Sequence, residues 1–151
     1  MSYSSVNEVR EMIKDENISN ILGLDEYIED ETQRETLITP IIEEAIRDAD
    51  GEIDGYLNKR YSTPLSSPIP KVINKFSKDI AIYNIYSRIG IDEDGREGTL
   101  LTRYKNAIKF LENVAKGLID IGVERPDKKA ASGFKINSND RLFSRDSMRG
   151  M

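Results

Sequence analysis

Apolar residues recur at steps of three and four along most of this chain, the spacing of helices with one buried face. The most regular stretch is Thr39 to Leu65, where Ile42, Ala45, Ile46, Ala49, Ile53, Tyr56 and Leu57 form a single stripe. It predicts a long helix that ends in an aromatic–proline turn, with Tyr61 and Leu65 as core anchors of that turn. Thr39 is suited to cap the helix, and Pro40 to its first position, where a missing N–H costs nothing. Glu43 and Glu44 suit the positive end of the helix dipole, and Lys59 and Arg60 the negative end. Gly51 and Gly55 run against this pattern, since each costs about 1 kcal/mol relative to Ala inside a helix. Four residues apart, they share one face. The pair marks close helix packing or a local bend, or a place where another chain's backbone approaches.

The flanking segments read in the same way. Ser5 and Glu8 match a capping box, and Val6, Val9, Met12 and Ile13 make a short helix to about Lys14. Ile18, Ile21 and Leu22 before Gly23 suggest one further turn. Residues 24–38 are acidic and irregular, with Tyr27, Ile28, Leu37 and Ile38 as anchors, and read as a loop. After the prolines at 64, 68 and 70, Ser67 can cap a second long helix that starts at Pro68. Its inner face is Ile69, Val72, Ile73, Phe76, Ile80, Tyr83 and Tyr86, and Gly90 is placed to end it. Residues 90–98 are a charged, glycine-rich loop. Thr99 caps a third long helix with a seam of Leu100, Tyr104, Ala107, Leu111 and Val114, closed by Gly117. Leu118 to Val123 fits a last turn or a short strand. The expected fold is all-α, a small antiparallel bundle of three long helices. It carries short N-terminal helices and an extended C-terminal arm, with a helical body over 1–125 and the arm over 126–151.

Charge separates those two parts. Residues 1–126 hold 16 basic and 24 acidic side chains, net −8, and residues 127–151 hold 6 and 3, net +3. The arm has no helical period and too little apolar content for a core of its own. Its isolated anchors are Phe134, Ile136, Leu142, Phe143 and Met148. A basic tail on an acidic body suggests docking on an acidic surface, such as that of a neighbouring copy. No apolar run approaches the roughly 20 residues of a membrane span, and the N-terminus has no signal-peptide pattern.

The chain has no histidine and no cysteine, so the usual general base, thiol nucleophile and thiolate metal ligand are missing. Three carboxylate patterns remain, and each falls short. A calcium loop starting at Asp48 would need Gly and Glu where Ile53 and Lys59 stand. One starting at Asp50 has Gly55 in place but ends on Tyr61, and one at Asp92 fails at both Glu97 and Arg103. Glu43, Glu44 and Asp48 resemble the magnesium-binding cluster of helical nucleotide pyrophosphohydrolases, but the next helix supplies only Asp79. Gly95 to Thr99 lacks the lysine of a phosphate loop, and the acidic body argues against a nucleic-acid interface. Neither an enzyme nor a cofactor is expected.

A resemblance enters at Asp50-Gly51-Glu52-Ile53-Asp54-Gly55-Tyr56-Leu57, followed by Arg60-Tyr61 and Thr63-Pro64-Leu65. It continues through Ile69-Pro70 and Asp79-Ile80-Ala81-Ile82-Tyr83-Asn84-Ile85-Tyr86-Ser87-Arg88. Arg103-Tyr104, Ala107, Leu111 and Ala115-Lys116-Gly117 follow, then Phe143-Ser144-Arg145-Asp146 and Gly150-Met151. These residues resemble the phage Mu-like head–tail connector (head completion, adaptor) family over about residues 40–151. Ile85 stands where Leu is usual, and the first 38 residues fit less well.

The resemblance implies a non-enzymatic virion protein of the neck, assembled in the host cytoplasm. Such proteins form a homo-oligomeric ring, commonly twelve-fold, beneath the portal and extend the DNA channel toward a tail-side stopper or tail terminator. DNA is passing cargo, and no membrane is involved. The arm then binds portal or a neighbouring subunit through Phe134, Ile136, Arg141, Leu142, Phe143, Arg145, Met148 and Arg149. Gly51 and Gly55 serve close packing, and Ile53, Tyr56, Tyr61, Leu65, Ile80 and Tyr83 the core. A second reading of different class is a small acidic phage-encoded regulatory protein that binds a host protein.

Overall fold

The computed structural model describes residues 1–91, 95 and 98–126. Within them the chain is all-helical: α1 (Val6–Arg10), α2 (Asp15–Ile21), α3 (Glu31–Leu57), α4 (Lys71–Ser87) and α5 (Gly98–Lys116). The three long helices form a bundle whose polar and ring contacts fix its directions. Asp50 and Glu44 of α3 meet Ser77 and Arg88 respectively, so α3 and α4 are antiparallel. Phe76 faces Phe110 and Tyr83 stacks on Tyr104, so α4 and α5 are antiparallel too. α1 packs across α3 and α4.

The α3 stripe is the spine of the core. Ile38, Ile42, Ala45, Ile46, Ala49, Ile53 and Leu57 are all buried. From α4 come Ile73, Phe76, Ile80, Ile82, Ile85 and Tyr86, and from α5 Ala107, Leu111 and Val114. Ile82 and Ile85 lie inside although the α4 stripe omits them. Tyr56 on α3 and Tyr83 on α4 are half-buried rather than core; for Tyr83 the reason is that α4 is gripped by α3, α5 and α1 at once and its buried arc shifts. Tyr83 packs at the rim, ring to ring with Tyr104 at 4.1 Å.

Helix starts depart most from expectation. α3 begins at Glu31 under an Asp30 cap, whose side chain accepts from Thr32 N–H. Thr39 is therefore no cap, and Pro40 lies inside the helix. A proline there costs about 3 kcal/mol. Ile38 and Ile42, one on each side, are fully buried, each contributing roughly 1.5–3 kcal/mol, and together they outweigh it. Pro40 itself faces solvent, and the Thr39 hydroxyl donates to Glu35 O at 2.6 Å. α4 starts at Lys71 rather than Pro68. The residue before a proline is kept out of the helical region, so neither Ser67 nor Ile69 joins the helix. The α1 capping box forms with both of its bonds, but the helix stops at Arg10.

Candidate interaction surface

The first residues of the chain are bound into the cleft between α3 and α4. Asp50 accepts from Ser2 Oγ at 2.7 Å and from Tyr3 N–H at 3.3 Å. Ser77 Oγ also donates to it, at 3.1 Å. With that proton committed, the 2.8 Å contact between Ser4 and Ser77 must have Ser4 as donor. Burial pushes the Asp50 carboxyl above its ordinary value despite these donors. Tyr3 OH donates to Asp54 and accepts from Leu65 N–H at 2.9 Å. Burial and the Asp54 bond raise its phenol above the usual range. Asn74 Nδ2 donates to Tyr3 O at 2.9 Å. Glu8 accepts from Ser5 N–H, Ser5 Oγ and Asn74, with Lys78 nearby, and these lower its carboxyl to about 2. A raised carboxyl beside a hydroxyl can be a reactive pair. Here Ser77 is fully buried and every proton is engaged within the lash. Beside it lies an open groove of about 750 Å³ over Tyr3, Val6, Ile46 and Ile69, edged by Glu43, Arg47 and Lys71.

The Arg60–Leu65 turn gathers the other chain ends. Arg60 Nη1 donates to Val114 O at 3.2 Å, placing a cation at the negative end of α5. Its guanidinium lies against Gly117, where an added Cβ would come within 3.4 Å and the backbone φ is +85°. Tyr61 is buried, and its OH meets Asp120 at 3.3 Å and Ile121 N–H at 3.4 Å. Arg60, Tyr61 and Leu65 therefore tie α5, the 117–126 segment and the N-terminus to one turn. Asp79, almost fully buried on α4, is paired with Arg103 of α5.

A different surface forms at the start of α3. Arg34 is buried, and its Nη1 donates to Tyr27 OH at 3.0 Å and Ile28 O at 2.8 Å. Ile28 N–H donates to Ser19 Oγ at 3.3 Å. These bonds fix the acidic 24–30 segment as a shaped loop around a hollow of about 660 Å³. Five large apolar side chains are exposed among the described residues, and two of them, Leu24 (45%) and Tyr27 (55%), line this hollow. Asp25, Glu26 and Glu29 rim it.

Of the sequence-predicted site residues, Phe134, Ile136, Arg141, Leu142, Phe143, Arg145, Met148 and Arg149 lie outside the described residues. So do Asp92 and Glu97. Ile53, Tyr61, Leu65 and Ile80 are buried. Gly51 and Gly55 are exposed, and a Cβ on either would meet nothing within 4 Å, so neither is a close-packing point among the described residues. Glu44 is engaged with Arg88 at 3.0 Å. Among the described residues, no group of three or more His, Cys, Asp or Glu side chains could hold a metal ion. No described helix is long and apolar enough to cross a membrane. Tyr3, Asp50 and Arg34 are not evident from helical periodicity. Leu24 and Tyr27 carry a readable signal, since they are apolar residues in an acidic run outside any stripe.

Comparison with known proteins follows the same body. A family model described as Bacteriophage Mu, Gp36 matches residues 3–137. A Mu-like prophage FluMu protein gp36 of Haemophilus influenzae is 31% identical over 111 residues, covering 72% of this chain and 74% of the relative.

Proposed function

The chain belongs to the Bacteriophage Mu Gp36 family, and on that premise we propose that this Mu-like phage protein is a head–tail connector. In this reading it forms a ring of copies beneath the portal in the virion neck and joins the capsid vertex to the tail. The observation that carries it is the family match from residue 3 to 137, which covers the helical body and runs into the arm. The net charge of −8 over residues 1–126 supports it, because a channel wall that passes DNA without gripping it must be acidic or neutral. The partners are other copies, the portal and a tail-side stopper or terminator. The arm attaches through apolar anchors such as Phe143 and Met148, with Arg141, Arg145 and Arg149 facing carboxylates.

The test is co-sedimentation of the full-length chain with the portal ring of the same phage, alone and on DNA-filled heads. Stoichiometric pelleting supports the connector. Absence from both pellets overturns it and favours the regulatory protein that binds a host partner. Phe143→Ala is expected to weaken assembly by about 2 kcal/mol or more, roughly thirtyfold. Binding equal to wild type would remove Phe143 as an anchor.

A further inference from the structure

We infer that the acid-rimmed hollow at the start of α3 receives the basic C-terminal arm, residues 126–151, of a second copy of this chain. The inference rests on the oligomeric reading above and adds the surface through which copies join. The hollow combines two features that the larger groove beside Tyr3 does not. Leu24 and Tyr27 leave apolar area exposed in one place. The loop from residue 24 to 31 has five carboxylates and no basic residue, and Asp25, Glu26 and Glu29 have no ion-pair partner among the described residues. The groove instead mixes Glu43 with Arg47 and Lys71, so its charge selects no occupant.

The arm is complementary on both counts, with net charge +3 over residues 127–151 and apolar residues spaced between its cations. Arg34 holds the loop in place beforehand through Tyr27 OH and Ile28 O, so docking need not order it. Reach favours a second copy for the first arm anchors. Pro126 sits beside Ser62, Ser66 and Ser67, and Leu65 is held to Tyr3 over Asp54. From Asp54 to the Asp30 cap is roughly 35 Å of helix. Phe134, the first arm anchor, lies eight residues past Pro126 and reaches at most about 28 Å. Phe134 therefore falls short of its own hollow and only the segment from Arg141 onward could return to it, whereas a neighbour's hollow is open to the whole arm.

The experiment uses two full-length charge-reversed chains. One carries Arg141→Glu, Arg145→Glu and Arg149→Glu, and the other Asp25→Lys, Glu26→Lys and Glu29→Lys. Circular dichroism confirms that both fold. Sedimentation velocity at low salt should show concentration-dependent association of wild type, loss in each variant alone and recovery when the two are mixed. Recovery only when both sets are placed in one chain, and not on mixing the two variants, means docking within a chain and overturns the inference. Association of either variant equal to wild type overturns it as well.

A synthetic peptide of residues 127–151, titrated into the isotope-labelled full-length chain, covers the case in which copies meet only on a template. Shifts at Leu24 and Tyr27, weakened on the order of tenfold by the carboxylate reversal, support the docking. No shift up to millimolar peptide, or shifts centred on the Tyr3 groove, refute it. Portal co-sedimentation is read separately. Recovery in the mixed variants without portal binding would keep this surface and remove the connector reading, and portal binding without recovery would do the reverse.

Discussion

Replacing Tyr3 with Phe removes one oxygen and leaves the ring in place. That oxygen donates to Asp54 and is the acceptor for Leu65 N–H at 2.9 Å. Without it the Leu65 amide, buried under the ring, has no partner, at a cost of about 1–3 kcal/mol. Asp54 is only partly buried, so water can replace its lost donor and the net cost there is nearer 0.5–1 kcal/mol. The two sum to roughly 1.5–4 kcal/mol, a large share of the 5–15 kcal/mol typical of a domain. In urea, with a slope of about 1.5–2 kcal/mol/M, the midpoint should fall by roughly 1–2.5 M with the slope unchanged. The alkaline limb gives a second readout. The folded Tyr3 phenol lies above its ordinary value of 10.0. Its contribution is therefore complete below pH 10 and declines as pH rises beyond it. Tyr3→Phe should lose that decline. A loss under about 0.5 kcal/mol would mean that the Leu65 amide finds water, and would refute the seating of the N-terminal segment over the α3–α4 turn.

Three further outcomes follow from the same contacts. Gly51→Ala and Gly55→Ala should each raise stability by about 0.5–1 kcal/mol, because a Cβ meets nothing there. A loss in urea unfolding would place another group against that face. Arg103→Ala strips the buried Asp79 of its counter-ion and should cost about 3 kcal/mol. Asp79→Leu with Arg103→Leu should recover most of that, and equal destabilisation by both would show that the charge is not what matters. Glu8, lowered from 4.5 to about 2 by Ser5, Asn74 and Lys78, contributes stability above pH 4.5 that fades as pH falls toward 2. Glu8→Gln should flatten that part of the acid-unfolding curve, and an unchanged slope would show that the capping box is open in solution.

Periodicity made the helices and their inner faces legible. Ile42, Ala45, Ile46, Ala49, Ile53 and Leu57 recur with the helix turn, and that spacing is a local property which buries them together in any packing. The α1 capping box is local too, being complete within Ser5 and Glu8. Helix boundaries were decided elsewhere. Proline at position 40 is a sound start signal by itself, but Ile38 and Arg34 found burial against the rest of the bundle, and that stabilisation exceeded the cost of an internal proline. Tyr56 and Tyr83 carry the right spacing yet lie at the rim, because which arc of a helix is buried depends on how many neighbours grip it. The lash of Tyr3, Asp50, Asp54, Leu65 and Ser77 joins residues up to 73 positions apart, a separation over which residue type carries no pairing information. The acid-rimmed hollow shows both contributions. Its charge and its stray apolar residues are written in residues 24–30, but only Arg34, turned inward by the fold, makes them a surface.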